Sequence, residues 1–272
     1  MSRARAGAYA LWQLRDYLKD RGLSTLIVAA LSAYLGWSML TDRVPMPRPS
    51  DAASAELLVR FGSAGAVYAA RMAEFSFHFM RDTLGAMIFL GALFAMNGIV
   101  ANDRKQGYFR FLFAKPVTPS HYYGQAFVVH LAGFMLVMVL LALLYGVIVW
   151  PVLTLPFVLV VGLMFVAYAG VAFLLSAAAR WDWLSLVAVS VASVFLWSKF
   201  GASTHPLAKL LYLLPPLHRA DEVYVAVSGT PVISAAGAPA VPWPLVGWFG
   251  GYGILCYIAG LIVLRFRRLA IV

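Results

Sequence analysis

A chain of 272 residues in which 62% are hydrophobic and only 12% charged is far from a soluble domain, where roughly a quarter of residues carry charge. This is the composition of an integral membrane protein. The single cysteine, Cys256, excludes a disulfide framework and a cysteine-based metal site, and the net charge of +10 has to be read by its placement around the apolar segments rather than as a nucleic-acid footprint.

Residues 9–22 place Leu11, Leu14, Tyr17 and Leu18 on one helical face, with Arg15, Asp16, Lys19, Asp20 and Arg21 elsewhere and Gly22 at the end. That pattern predicts an amphipathic helix lying on the bilayer surface. The first span follows at 23–40. It is too long and starts too late for a signal peptide, and Thr41-Asp42-Arg43 follows it instead of a cleavage site.

Residues 41–82 form a polar insert with Pro45, Pro47 and Pro49 early and a helical pattern over 52–80. The second span is predicted at 83–101, and a charged, aromatic stretch occupies 102–124. The third span covers 125–149, the fourth 157–179 and the fifth 183–199, which barely meets the roughly 20 residues that a span requires. A second polar segment, 201–243, is broken by Pro215-Pro216 and precedes the sixth span, 245–264. The fold class expected is therefore an all-α integral membrane protein with six transmembrane helices in a single domain.

Charge placement orients these spans. The N-terminus, the 102–124 stretch, the link at 180–182 and the C-terminal tail together hold 13 Lys or Arg and four acids, net +9. The segments on the other side, with Lys199, hold eight and seven, net +1. The positive-inside rule puts the first set, and both termini, in the cytoplasm.

The spans carry almost no ionisable side chain, His130 being the main exception, so the machinery of an ion-coupled carrier is missing. His130 is expected to hydrogen-bond a neighbouring helix. No nucleophile and base stand at helical reach, and His78, His121, His205 and His218 are too scattered to nominate a metal site. No G-x-x-x-x-G-K-[ST] loop occurs either. The expectation is a chain that is not an enzyme, with no catalytic residue, no metal and no cofactor of its own. Any driven transport must draw its energy from another polypeptide.

The stretch after the second span shows where that polypeptide would push. Asp103-Arg104-Lys105-Gln106-Gly107, then Phe111-Leu112-Phe113-Ala114-Lys115-Pro116-Val117, then Tyr122-Tyr123-Gly124-Gln125 resembles the membrane-subunit family of type 2 ABC exporters. Asp103 stands where that family most often has Glu, Tyr108 where Thr or Ser is common, and Gln125 where Lys is usual. The helix at 9–22 resembles the family's elbow helix, and the 201–243 segment its outer re-entrant hairpin.

The resemblance implies a half-transporter in a bacterial plasma (inner) membrane. It would dimerise with a second copy or a close relative and bind two cytoplasmic ATPase subunits, which hold ATP and magnesium. Asp103, Arg104, Lys105, Gly107, Arg110, Lys115 and Pro116 would form the coupling helix. A helix stopped at Lys115-Pro116 and pinned at the interface by Phe109, Phe111, Phe113, Tyr122 and Tyr123 suits force transmission. In this fold the second and fifth spans lie nearest the dimer axis, so Met87, Phe89, Phe94, Met96, Phe195 and Trp197 become candidates for a translocation path that suits an amphiphilic or lipid-like cargo. A second expectation is a non-transporting scaffold or assembly factor that delivers ATPase-driven motion to an outer partner through residues 41–82.

Overall fold

A computed structural model describes residues 58–96, 99–100, 118–178, 182–203, 205–228 and 243–266, together with single positions between 11 and 34. The elbow helix, the first span and the coupling residues 102–117 lie outside the described residues, although Leu11, Leu14 and Arg15 are individually helical.

The described segments are helical. In chain order they are α1 (Ala64–Met96), α2 (Pro119–Ile148), α3 (Leu155–Ala178), α4 (Asp182–Phe200), two 3₁₀ turns (Pro206–Leu213 and Leu217–Arg219), α5 (Ala220–Ser228) and α6 (Trp243–Phe266). Three of them, α2, α3 and α6, are long and apolar enough to cross a bilayer, and α4 contributes a shorter apolar stretch, Ser185–Phe200.

The hub is α3. Its sequence has no charged residue, and Val160, Val161, Met164, Phe165, Tyr168, Ala169, Ala172 and Phe173 bury their side chains over more than half of its circumference. A helix apolar on every side has to be surrounded, and α3 touches each of the other five helices. By contrast, α2 and α6 bury one face and expose Val128, Leu136, Leu140 and Leu143, and Ile254, Leu255, Ile258 and Ile262. Such a belt would be a large exposed apolar patch in water and is the normal outer surface of a bundle in lipid.

Small residues decide how closely α6 approaches the hub. A Cβ added to Gly170 would fall on the Gly253 carbonyl, and one added to Gly253 would meet the Ala167 Cα at 2.5 Å. Gly250 and Gly260 lie the same way against Leu163 and the Phe173 ring. Backbone-to-backbone contact of this kind supplies the dispersion attraction that must replace the hydrophobic effect in a bilayer.

Two helix boundaries differ from the hydropathy reading. Rather than a polar insert followed by a separate span at 83–101, α1 is one helix of 33 residues, about 50 Å long at 1.5 Å per residue. Its start is set by Gly62, which takes a φ of 77°, and by Ser63, whose Oγ accepts the Ala66 N–H at 3.2 Å. The glycine ends the preceding helical turn and the serine caps the next. Likewise α2 begins at Pro119, six residues before the expected third span: Thr118 caps it by accepting the His121 N–H at 3.3 Å, and Pro119 occupies the first turn, where no N–H is needed. Tyr122 and Tyr123 are therefore helical, and Tyr123 is fully buried against Phe173.

Residues 205–228 form a folded cap rather than a loop. Ser193 of α4 donates a hydrogen bond to the Pro215 carbonyl at 2.5 Å, and Tyr252 of α6 donates to the Leu213 carbonyl at 2.7 Å. Within it α5 buries Ala220, Val223, Tyr224 and Ala226, with the Tyr224 ring 5.2 Å from that of Phe77 in α1.

Candidate functional site

A cleft of about 630 Å³ opens between α1, α4 and the cap. From α1 come Arg81, Asp82, Gly85, Ala86 and Phe89; from α4 come Val187, Ser190, Val191, Val194, Phe195 and Ser198. The cap supplies His218, Ala220 and Asp221, and Tyr168 of the hub closes the base.

Helical spacing grades the polarity of this cleft. Arg81 and Asp82 stand about 10 Å along α1 from Phe89, and Val187, Val191, Val194 and Phe195 recur at three and four residues on one face of α4, so that face lines the cleft with apolar side chains. Gly85 is needed for the cap to approach, since a Cβ there would lie 3.3 Å from that of Ala220. Phe89 closes on the Tyr168 ring edge-to-face at 5.6 Å.

The polar groups are unevenly satisfied. Arg81 and Asp82 pair at 2.9 Å, and Arg219 holds Glu222 through both Nε and an NH2 group. Asp221 has no ion pair within 4.0 Å among the described residues. Ser190 Oγ, Trp197 Nε1 and His218 Nδ1 are buried and find no hydrogen-bond partner there. Each such group costs about 1–3 kcal/mol when left dry, and two of the three, Ser190 and His218, belong to residues that line the cleft. Burial, and then the neighbouring Arg219 charge, hold the His218 imidazole below its ordinary value and so keep it neutral. Burial pushes the Tyr224 phenol up to about 12.

The predicted path residues separate into groups. Phe89 and Phe195 meet in the cleft. Trp197 stands behind it, stacked on His218. Met96 is fully buried in the core and Met87 is not part of the lining, so neither belongs to the cleft; the side chain of Phe94 lies outside the described residues. A helix turns its side chains through the full circle every 3.6 residues, so a single apolar span cannot present all of its large residues to one path. Arg81, Asp82, Ser190 and Asp221 were missed by the sequence reading, and the adjacent charges of Arg81 and Asp82 at the border of an apolar run were the available signal. His130 Nδ1 bonds the Ala126 carbonyl of its own helix at 2.7 Å.

The start of α2 is held by aromatic packing. Tyr123, Phe127, Phe173 and Tyr257 form an aromatic cluster, with centroids 4.5 Å apart for Phe127 and Tyr257 and 5.0 Å for Phe173 and Tyr257. It fixes the first turns of α2, directly after residues 102–117, to α3 and α6. Comparison with family models, with curated proteins and with solved structures finds no match for this chain.

Proposed function

We propose that the chain is the permease subunit of an ATP-driven exporter that moves an amphiphilic cargo outward. The observation that carries this reading is the cleft, in which Phe89 of α1 and Phe195 of α4 converge with charged groups at one end and an apolar wall at the other. A cargo with a polar head and an apolar body matches such a gradient. Six spans, cytoplasmic termini, a dimer and two ATPase partners belong to the same proposal, which draws on the sequence pattern at 102–124. The aromatic cluster at the start of α2 supports it, because a push on those residues would pass into the bundle through packed rings instead of being absorbed by a loose junction.

Changing Asp103 and Arg104 together to Ala tests the reading. The variant should insert and melt like the parent but lose co-purification with, or stimulation of, its ATPase subunit. Unchanged stimulation would remove the coupling assignment.

A second reading has its own observation. At about 50 Å, α1 exceeds the roughly 30 Å hydrocarbon core, and its N-terminal half, tied to α2 by the Tyr145 hydroxyl donating to Ser76 Oγ at 3.2 Å, would form a stiff rod outside the bilayer. A scaffold that passes ATPase-driven motion to an outer partner would use such a rod. Reconstituted vesicles separate the two: ATP hydrolysis without movement of any amphiphile favours the scaffold.

A further inference from the structure

Resting on the reading of this cleft as a cargo site, we infer that its ligand is a cationic amphiphile, an alkylammonium-type head on an apolar body, with Asp221 as the counter-charge. Charge balance carries the inference. Arg81 is matched by Asp82 and Arg219 by Glu222, which leaves Asp221, near Arg219 but without an ion pair of its own among the described residues, as the surplus charge of the lining. The position of Asp221 in the first turn of α5 brings it the partial positive charge of a helix N-terminus, about half a unit, which reduces but does not cancel the carboxylate.

The nearby cations are otherwise engaged. Lys199 lies outside the lining with its ammonium 5.9 Å from the Phe195 centroid and 5.5 Å from that of Phe200. His218 is kept neutral by its burial and by Arg219. The Lys199 contact places an ammonium near the Phe195 ring, within the distance at which a cation and an aromatic quadrupole interact. A ligand ammonium would therefore meet a carboxylate together with the rings of Phe195 and Phe89, while its alkyl body lies along Val191 and Val194. Among the described lining residues, an anionic head would face Asp221 and find no cation outside the Arg81–Asp82 pair.

The test uses the purified full chain in lipid nanodiscs, with empty nanodiscs as the partition control, and equilibrium dialysis of three radiolabelled probes of equal chain length: octyltrimethylammonium, octyl sulfate and octyl glucoside. Saturable binding of the ammonium probe should be about tenfold tighter than that of the sulfate. Asp221→Asn should bring the two to near equality and leave the glucoside unchanged, Asp221→Glu should keep the preference, and Phe195→Ala should weaken all three. Equal or tighter binding of the sulfate, an unchanged preference in Asp221→Asn, or no saturable binding of any probe overturns the inference. If Asp221→Asn fails to fold, the parent and Asp221→Glu ratios decide it alone. The assay contains no ATPase: a cation preference in a chain that couples to no ATPase leaves the inference standing and sinks the exporter, and ATPase coupling without charge preference does the reverse.

Discussion

The imidazole of His218 lies on the indole of Trp197, with ring centroids 4.6 Å apart and planes 23° from parallel. One ring belongs to the cap and the other to α4, so the contact is part of what holds the cap against the bundle. Both rings bury a nitrogen without a described partner, which makes the contact sensitive to the charge of the imidazole.

The first prediction follows from that sensitivity. Burial and Arg219 lower the folded pKa of His218 beneath the unfolded value of about 6.5, while Glu222 and Asp221 oppose the shift more weakly. Between those two values the undocked cap binds more protons than the docked one, so docking is fully favourable above pH 6.5 and weakens as pH falls through the folded pKa. Hydrogen exchange over 206–228 should accelerate relative to the rest of the bundle between pH 7.5 and pH 5. In His218→Gln that pH dependence should vanish.

The two hydrogen bonds from α4 and α6 to the cap give a second prediction. Ser193 and Tyr252 bond carbonyls two residues apart, Pro215 and Leu213. Ser193→Ala and Tyr252→Phe should each weaken docking of the cap by about 1 kcal/mol, read as faster exchange across 206–219. Because the two bonds hold the same segment, the double variant should depart from additivity. Exchange rates matching the parent would show that packing alone holds the cap.

The glycine seam supplies a third. Gly170→Ala would push a methyl group into the Gly253 carbonyl, and separating two packed helices should cost about 1–3 kcal/mol, with Gly253→Val at the upper end. Gly247 and Gly251 stand on the same helix with open space around the added Cβ, so Ala at either should be neutral or slightly stabilising through helix propensity. Thermal melting in detergent distinguishes them, and equal effects at all four positions would contradict close approach at the seam.

The extent to which this architecture was legible in the sequence follows from what a linear pattern records. Long apolar runs marked α2, α3, α4 and α6 because the bilayer imposes length and hydrophobicity directly. The same criterion misread α1, whose Arg71, Glu74, Arg81 and Asp82 interrupt the apolar signal without interrupting the helix. It also placed the start of the third span at residue 125, although Thr118-Pro119 carried the capping pattern that begins α2. Phe89 and Phe195 were selected from the sequence, but Met96 was selected with them because hydropathy does not say which way a residue faces. Asp221 and His218 join the cleft only through the fold of the cap, more than 120 residues from α1, and no local spacing reports that.

The division of the predicted path residues leads to the last prediction. Met96 is fully buried and Phe195 is 59% exposed at the cleft, so truncating them should have opposite signatures. Met96→Ala removes a side chain that packs in the core and should destabilise the bundle by about 2–5 kcal/mol, lowering the melting temperature whether or not cargo is present. Phe195→Ala removes a ring with little packing to lose; its melting temperature should stay close to the parent's, while saturable binding of a cationic amphiphile weakens several-fold because the aromatic surface at the cleft is gone. Phe89→Ala should combine both effects, since that ring lines the cleft and also packs on Tyr168. If Met96→Ala altered cargo response with stability intact, the path would run through the core of the bundle and the cleft between α1, α4 and the cap would not be the site.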